Sequence, residues 1–368
     1  MAARPGPAAK CGMAETPRTV SLLLNLAHAL DHLFLLIFAT AVAAIAHDFG
    51  FARWEDLMPY RVGAFLMFGL GSLPAGKLGD SWGRRPMMLV FFFGLGASAL
   101  LAAATQTVWQ LAGALALLGT FSAIYHPVGI PMLVQGARKP GATIGVNGLA
   151  GNLGIAAAAL VTGFLVQMAG WRVAFAVPGL VCIGFGFLFA RWVPAEAEPP
   201  ARRSRPSAVA LAPGQLARLL MVMTVASATA GLLFNLTTNG NGQLLAERLN
   251  GVVNDPATLG LLLAAASLAQ GWWLYAALLG VMILIFGAIP FTDAVIVRYV
   301  DDRMRSRVAG LRLTLSLGFS SLAVYALGPV VKASGFATLL MAMAGISLCT
   351  AAALLAMPGE PPRPALAS

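Results

Sequence analysis

The ten residues Gly76-Lys77-Leu78-Gly79-Asp80-Ser81-Trp82-Gly83-Arg84-Arg85 decide how this chain is read. Two apolar runs flank them, 57–76 and 86–105. Each is about 20 residues long, the length that crosses the hydrocarbon of a bilayer. A short charged segment between two such runs is a turn at a membrane surface. Its glycines suit a tight turn and a close approach of neighbouring backbones.

The rest of the chain repeats this pattern. Of 368 residues, 59% are hydrophobic and only 10% charged, where a soluble domain carries about 25%. Mean hydropathy is +0.81. These values exclude a disordered chain and argue strongly against a soluble enzyme. Apolar spans are predicted at 19–47, 57–76, 86–105, 107–135, 141–168, 171–191 and 214–239, then at 306–332 and 336–357. Between them lies an apolar stretch, 258–297, long enough for one crossing and a half-segment. The expected architecture is all-α and polytopic, with ten to eleven membrane helices. It divides into a terminus (1–18), a six-helix bundle (19–191), a Pro- and Arg-rich linker (192–213), a shortened bundle (214–357) and a tail (358–368). The run behind Arg4, Lys10 and Arg18 is too long for a signal peptide and holds His28, Asp31 and His32, so it reads as an uncleaved first span.

Charge sets the orientation. With both termini in the cytoplasm, 19 of the 24 Lys and Arg fall on cytoplasmic ends, as the positive-inside rule requires. That bias accounts for the net charge of +10 without nucleic acid. Cys11, Cys182 and Cys349 form no ligand spacing, and the four histidines look too dispersed for a metal site. No nucleophile–base pair or phosphate loop is visible, so no enzyme and no cofactor are expected.

An internal repeat is also present. Shifting the chain by 164–165 residues places Trp109 on Trp273, Gly154 on Gly318 and Gly170 on Gly335. Spans 4–6 thus return as the last three, a layout transporters often show. Upstream the repeat breaks: about 33 residues are missing from the second half, judged from the Gly63–Trp109 and Gly260–Trp273 separations.

The segment 76–85 resembles the G-x-L-x-D-x-x-G-R-R/K signature of the major facilitator superfamily, in the position that family gives it. The resemblance covers nearly the whole chain apart from the gap. It implies two bundles that rock about a central site, and a cytoplasmic latch formed by Gly76, Asp80, Gly83, Arg84 and Arg85. Asp80 would face the positive N-terminus of the helix beginning near Ser306. Two further patches, Asn25-x-x-His28-x-x-Asp31-His32 and Tyr125-His126-Pro127, are similar to fosmidomycin-resistance-type exporters. The Gly-Pro pair of the antiporter signature is missing after Gly148, Gly151 and Gly154.

Ionisable groups deep in a bilayer are costly and point to function. Asn25, His28 and Asp31 or His32 share one helix face by their spacing. A carboxylate beside imidazoles suits proton binding and release, so Asp31 is the expected proton carrier; a pair that merely pins two helices is the competing reading. His126 lies beside Pro127, which bends its helix. Asn152, together with Asn147, Asn235, Asn239 and Asn241, is a candidate for substrate contact, and Asp293 for substrate or for pairing with Arg312 or Arg298. Glu55 and Asp56 read as a solvated surface. The expectation is a monomeric, proton-coupled secondary transporter of the inner membrane that exports a small molecule. Organic-anion uptake, or a non-transporting shortened relative, stand as alternatives.

Overall fold

The computed structural model describes residues 17–202, 213–248 and 296–355. Every regular element among the described residues is helical. They are α1 (Arg18–Asp48), α2 (Val62–Ser81), α3 (Arg84–Ala104), α4 (Val108–Ser122), α5 (Ile130–Val134), α6 (Pro140–Ala169), α7 (Trp171–Trp192), α8 (Pro213–Arg248) and α9 (Arg305–Leu355). Among the described residues, seven helical stretches are long and apolar enough to cross a membrane. The predicted stretch 258–295, with its half-segment and Asp293, lies outside the described residues.

Local chemistry sets the ends. Thr107 caps α4: its hydroxyl accepts from the Gln110 N–H, and the Gln110 side chain returns the bond to the Thr107 N–H. Gly335, at φ 73°, breaks α9 into two arms, as the separate spans 306–332 and 336–357 anticipate. The span predicted at 107–135 is divided. Tyr125–Gly129 form a π turn between α4 and α5, because Pro127 and Pro131 lack the N–H groups that a continuous α-helix uses.

Two expectations change. The charged segment 76–85 is mostly helix rather than loop: α2 continues through Ser81, and only Trp82 and Gly83 form the turn. Gly83 alone in the segment takes a positive φ, 126°. Gly76 and Gly79 serve contact instead: a Cβ on Gly76 would lie 2.2 Å from the Ser306 carbonyl oxygen, and one on Gly79 would lie 2.8 Å from Val128. Glu55 is buried rather than solvated. It pairs with Arg53, and α9 comes so near that a Cβ on Gly328 would lie 2.5 Å from the Glu55 carbonyl oxygen.

Small residues bring the helices together. α6 lies on α1 with Gly154 against Ala29, and α4 on α2 with Gly119 against Ala64. α2 lies on the first arm of α9 through Gly69 against Gly318, Ser72 against Gly310 and Gly76 against Ser306. Dispersion between close backbones is what holds helices together where lipid is as apolar as their side chains. The α2–α9 and α1–α8 contacts join the six-helix unit to the rest. Leu149, Leu153, Leu160 and Phe164 of α6 point outward and exposed, as lipid-facing positions should.

Candidate functional site

The fold gathers three histidines that sit far apart in sequence. α1 carries His28 and His32 one turn apart, and the π turn brings in His126. Ring centroids lie 4.7 Å apart for His28–His32, 5.0 Å for His28–His126 and 5.6 Å for His32–His126. Tyr125 stacks on His28 at 4.8 Å. The wider π turn is what turns both Tyr125 and His126 toward α1.

Hydrogen bonds fix the proton positions. His28 Nδ1 lies 2.8 Å from the Asn147 carbonyl oxygen, which only accepts, so this nitrogen carries the hydrogen. His28 Nε2 then accepts from His32 Nε2 at 3.0 Å. Asn147 Nδ2 donates to Asn25 Oδ1 at 2.9 Å and to the Tyr125 hydroxyl at 2.7 Å. That hydroxyl donates to the Leu24 carbonyl at 2.8 Å. Gly151, one turn beyond Asn147, leaves room for the His28 ring: a Cβ there would lie 2.7 Å from it.

Asp31 lies fully buried beside this network. Neither of its oxygens has a hydrogen-bond partner among the described residues. His126 Nε2 stands 3.6 Å from Oδ2. Charge on such a carboxyl must be met by a proton on itself or by a cation beside it. α9 packs against the π turn that carries His126. The cluster therefore sits where the six-helix unit meets α9.

The expectation that the histidines are too dispersed for a metal does not hold in space: nitrogens of His28, His32 and His126 lie within 4.8 Å of one another. Separation along the chain concealed the convergence. Here the lone pair of His28 Nε2 is engaged by His32 Nε2.

A second polar cluster closes the end of the bundle that bears the basic turn. Asp80 Oδ2 accepts the Arg307 N–H at 2.9 Å, on the opening turn of α9, as a carboxylate at a helix N-terminus should. Arg84, fully buried, donates through Nη1 to Asp302 Oδ1 at 3.0 Å and through Nη2 to the Asp302 carbonyl at 2.9 Å. It also donates to Ser306 Oγ, the Pro131 carbonyl and Gln135 Oε1. Arg85 does something different. Its side chain donates to the carbonyls of Val193 and Ala190, and its N–H donates to Glu196. Arg84 thus ties two bundles together, while Arg85 fastens the linker to its own bundle.

A protein-family model for the Major Facilitator Superfamily matches residues 24–246, more than half of the chain. The chain belongs to the Major Facilitator Superfamily. Among solved structures it is similar to a bacterial homologue of the human lysosomal transporter Spinster, crystallised inward-facing and unoccupied. Identity is 14%, the TM-score is 0.59, and the alignment covers 94% of this chain and 93% of that one. At that identity the likeness speaks for the fold alone. No curated protein sequence matches.

This superfamily member is a multi-pass membrane protein with an all-α, transporter-type fold. Of the residues singled out from its sequence, Asn25, His28, Asp31, His32 and His126 come together. Gly76, Asp80, Gly83, Arg84 and Arg85 gather at the basic turn. Asn152 does not join the first group: it is half-buried, one position away from the Asn147, Gly151 and Gly154 stripe that faces α1. Sequence reasoning left Asn147 and Tyr125 out of the leading site residues. Their signal was the i, i+4, i+7 spacing of Asn147, Gly151 and Gly154, and the adjacency of Tyr125 to His126. Ser306 and Asp302 had no comparable sequence signal as partners of Arg84.

Proposed function

We propose that this chain is a proton-coupled secondary transporter of the inner membrane, exporting a small molecule by alternating access. Both termini are cytoplasmic in this reading, which rests on the 19-to-5 distribution of Lys and Arg. The observation that carries it is Asp31: a buried carboxyl, without a hydrogen-bond donor, beside three mutually hydrogen-bonded or stacked histidines at the junction with α9. A proton on Asp31 removes a charge from an apolar interior, and its departure leaves His126 to balance the carboxylate. Either change alters how the π turn that carries His126 meets α9. The clusters at Asp80 and Arg84 serve as the cytoplasmic latch, broken and remade once per cycle.

The test is flux in proteoliposomes under an imposed pH gradient, across a broad panel of small molecules, with Asp31→Asn alongside. At least one compound should move with the gradient in the wild type and not in Asp31→Asn. Equal flux of that compound in both proteins would remove Asp31 from the coupling. Flux of none, with correctly folded protein, would favour a membrane scaffold.

A further inference from the structure

Arg61 has no part in either cluster. It stands at the junction of a 3-10 turn, Met58–Arg61, with α2, at the end opposite the basic turn. Only 1% of it is exposed. Its guanidinium carbon lies 4.7 Å from the centroid of the Phe65 ring and 5.5 Å from that of Phe38. Both Nη atoms are buried and have no hydrogen-bond partner among the described residues. The neighbouring acids are engaged elsewhere: Glu55 with Arg53, and Asp56 with Lys332. Two phenyl faces compensate a buried cation only in part, and a charge held unpaired away from water is strongly unfavourable.

Its place along the helices is as informative as its isolation. Phe38 follows Asp31 by seven residues on α1, so it shares that face two turns on, about 10 Å along the axis. Phe65 and Phe68 follow Arg61 at i+4 and i+7 on α2, and the Phe68 ring is 6.0 Å from that of His126. Arg61, a phenyl layer and the Asp31–histidine cluster therefore follow one another along α1 and α2. α9 packs against the same turn.

We propose that Arg61 is an anion-binding subsite on the transport path, taking the carboxylate or phosphoryl group of an organic-anion substrate. This rests on the transport reading above and adds the substrate class. A planar guanidinium fork matches such oxyanions two bonds at a time, and the phenyl rings exclude the water that would compete. The phenyl layer keeps the anion apart from Asp31, which would repel it.

The experiment uses the purified full chain in a detergent that has no phosphate or sulfate group. Thermal unfolding is followed in chloride buffer against increasing inorganic phosphate or benzoate, at matched ionic strength. The wild type should show a saturable rise in unfolding temperature of several degrees with at least one of the two. Arg61→Gln should lose the saturable part and keep only the gradual salt effect that any protein shows. Arg61→Lys, which keeps the charge but not the fork, should need at least several-fold more anion. A wild type with no saturable response to either probe overturns the proposal, whether or not the variants fold. So does an Arg61→Gln protein that responds like the wild type. Binding is read without flux, so this result stands or falls apart from the Asp31 experiment.

Discussion

Gly76→Ala tests the latch most directly. The added Cβ would lie 2.2 Å from the Ser306 carbonyl oxygen and 2.8 Å from its carbon, both backbone atoms that cannot rotate away. Ordinary contact needs roughly 3.5 Å, so α2 and the opening turn of α9 must part by about 1 Å. The Arg307 N–H to Asp80 bond, at 2.9 Å, lies one turn along α2 and stretches with them. Overpacking of this kind costs about 1–3 kcal/mol. In the alternating-access cycle proposed above the two backbones part when the latch opens, so the cost falls on the closed arrangement alone. The open fraction should therefore rise by a factor of roughly 5–150. Ser306→Cys reports it: Ser306 is fully buried in the closed arrangement. The rate of its reaction with a water-soluble thiol reagent follows the open population while opening and closing remain fast. The rate is compared with and without Gly76→Ala in the same Cys-substituted background, so the reporter's own effect is shared. Gly184→Ala is the control, since a Cβ there meets nothing within 4 Å. Equal labelling with and without Gly76→Ala would refute the argument that this contact holds the basic end closed.

Further outcomes follow from the same geometry. Arg84→Ala should raise Ser306→Cys labelling as Gly76→Ala does, because it removes every Arg84 bond to Asp302 and Ser306; Arg85→Ala should leave labelling unchanged, since its bonds stay within the first bundle and linker. Gly154→Ala places a Cβ 2.1 Å from the Ala29 carbonyl oxygen, and thermal melts should show a loss of about 1–3 kcal/mol. Asn147→Ala removes the bonds to Asn25 and Tyr125 while keeping the carbonyl that holds His28. It should destabilise by about 1–3 kcal/mol and impair proton-driven flux. Cys182, buried with its thiol 3.4 Å from the Phe92 carbonyl oxygen, should resist alkylation in the folded protein and react on denaturation, as peptide mass spectrometry would show.

Membrane class, helix positions and the contact of Asp80 with the helix start near Ser306 were legible in the sequence because each rests on local information. Twenty apolar residues in a row admit one solution in a bilayer, a helix whose backbone groups satisfy one another. The spans predicted at 19–47, 141–168 and 171–191 accordingly match α1, α6 and α7 to within a residue or two. The spacing of Asn25, His28, Asp31 and His32 placed them on one face, and Asp80 was matched to the helix start near Ser306 because a carboxylate and a helix N-terminus attract wherever they meet. What tertiary structure alone decided was which distant groups become neighbours. The convergence of His126 on His28 needs a π turn, and it turns a scattered histidine count into a connected network. The choice of Asn147 over Asn152 depends on which side of α6 meets α1, and a helix of low amphipathicity, as apolar on one side as on the other, hides that choice. At Arg61, only the packing of α1, α2 and α9 around the turn, with nearby acids committed elsewhere, left a guanidinium buried among phenyl rings.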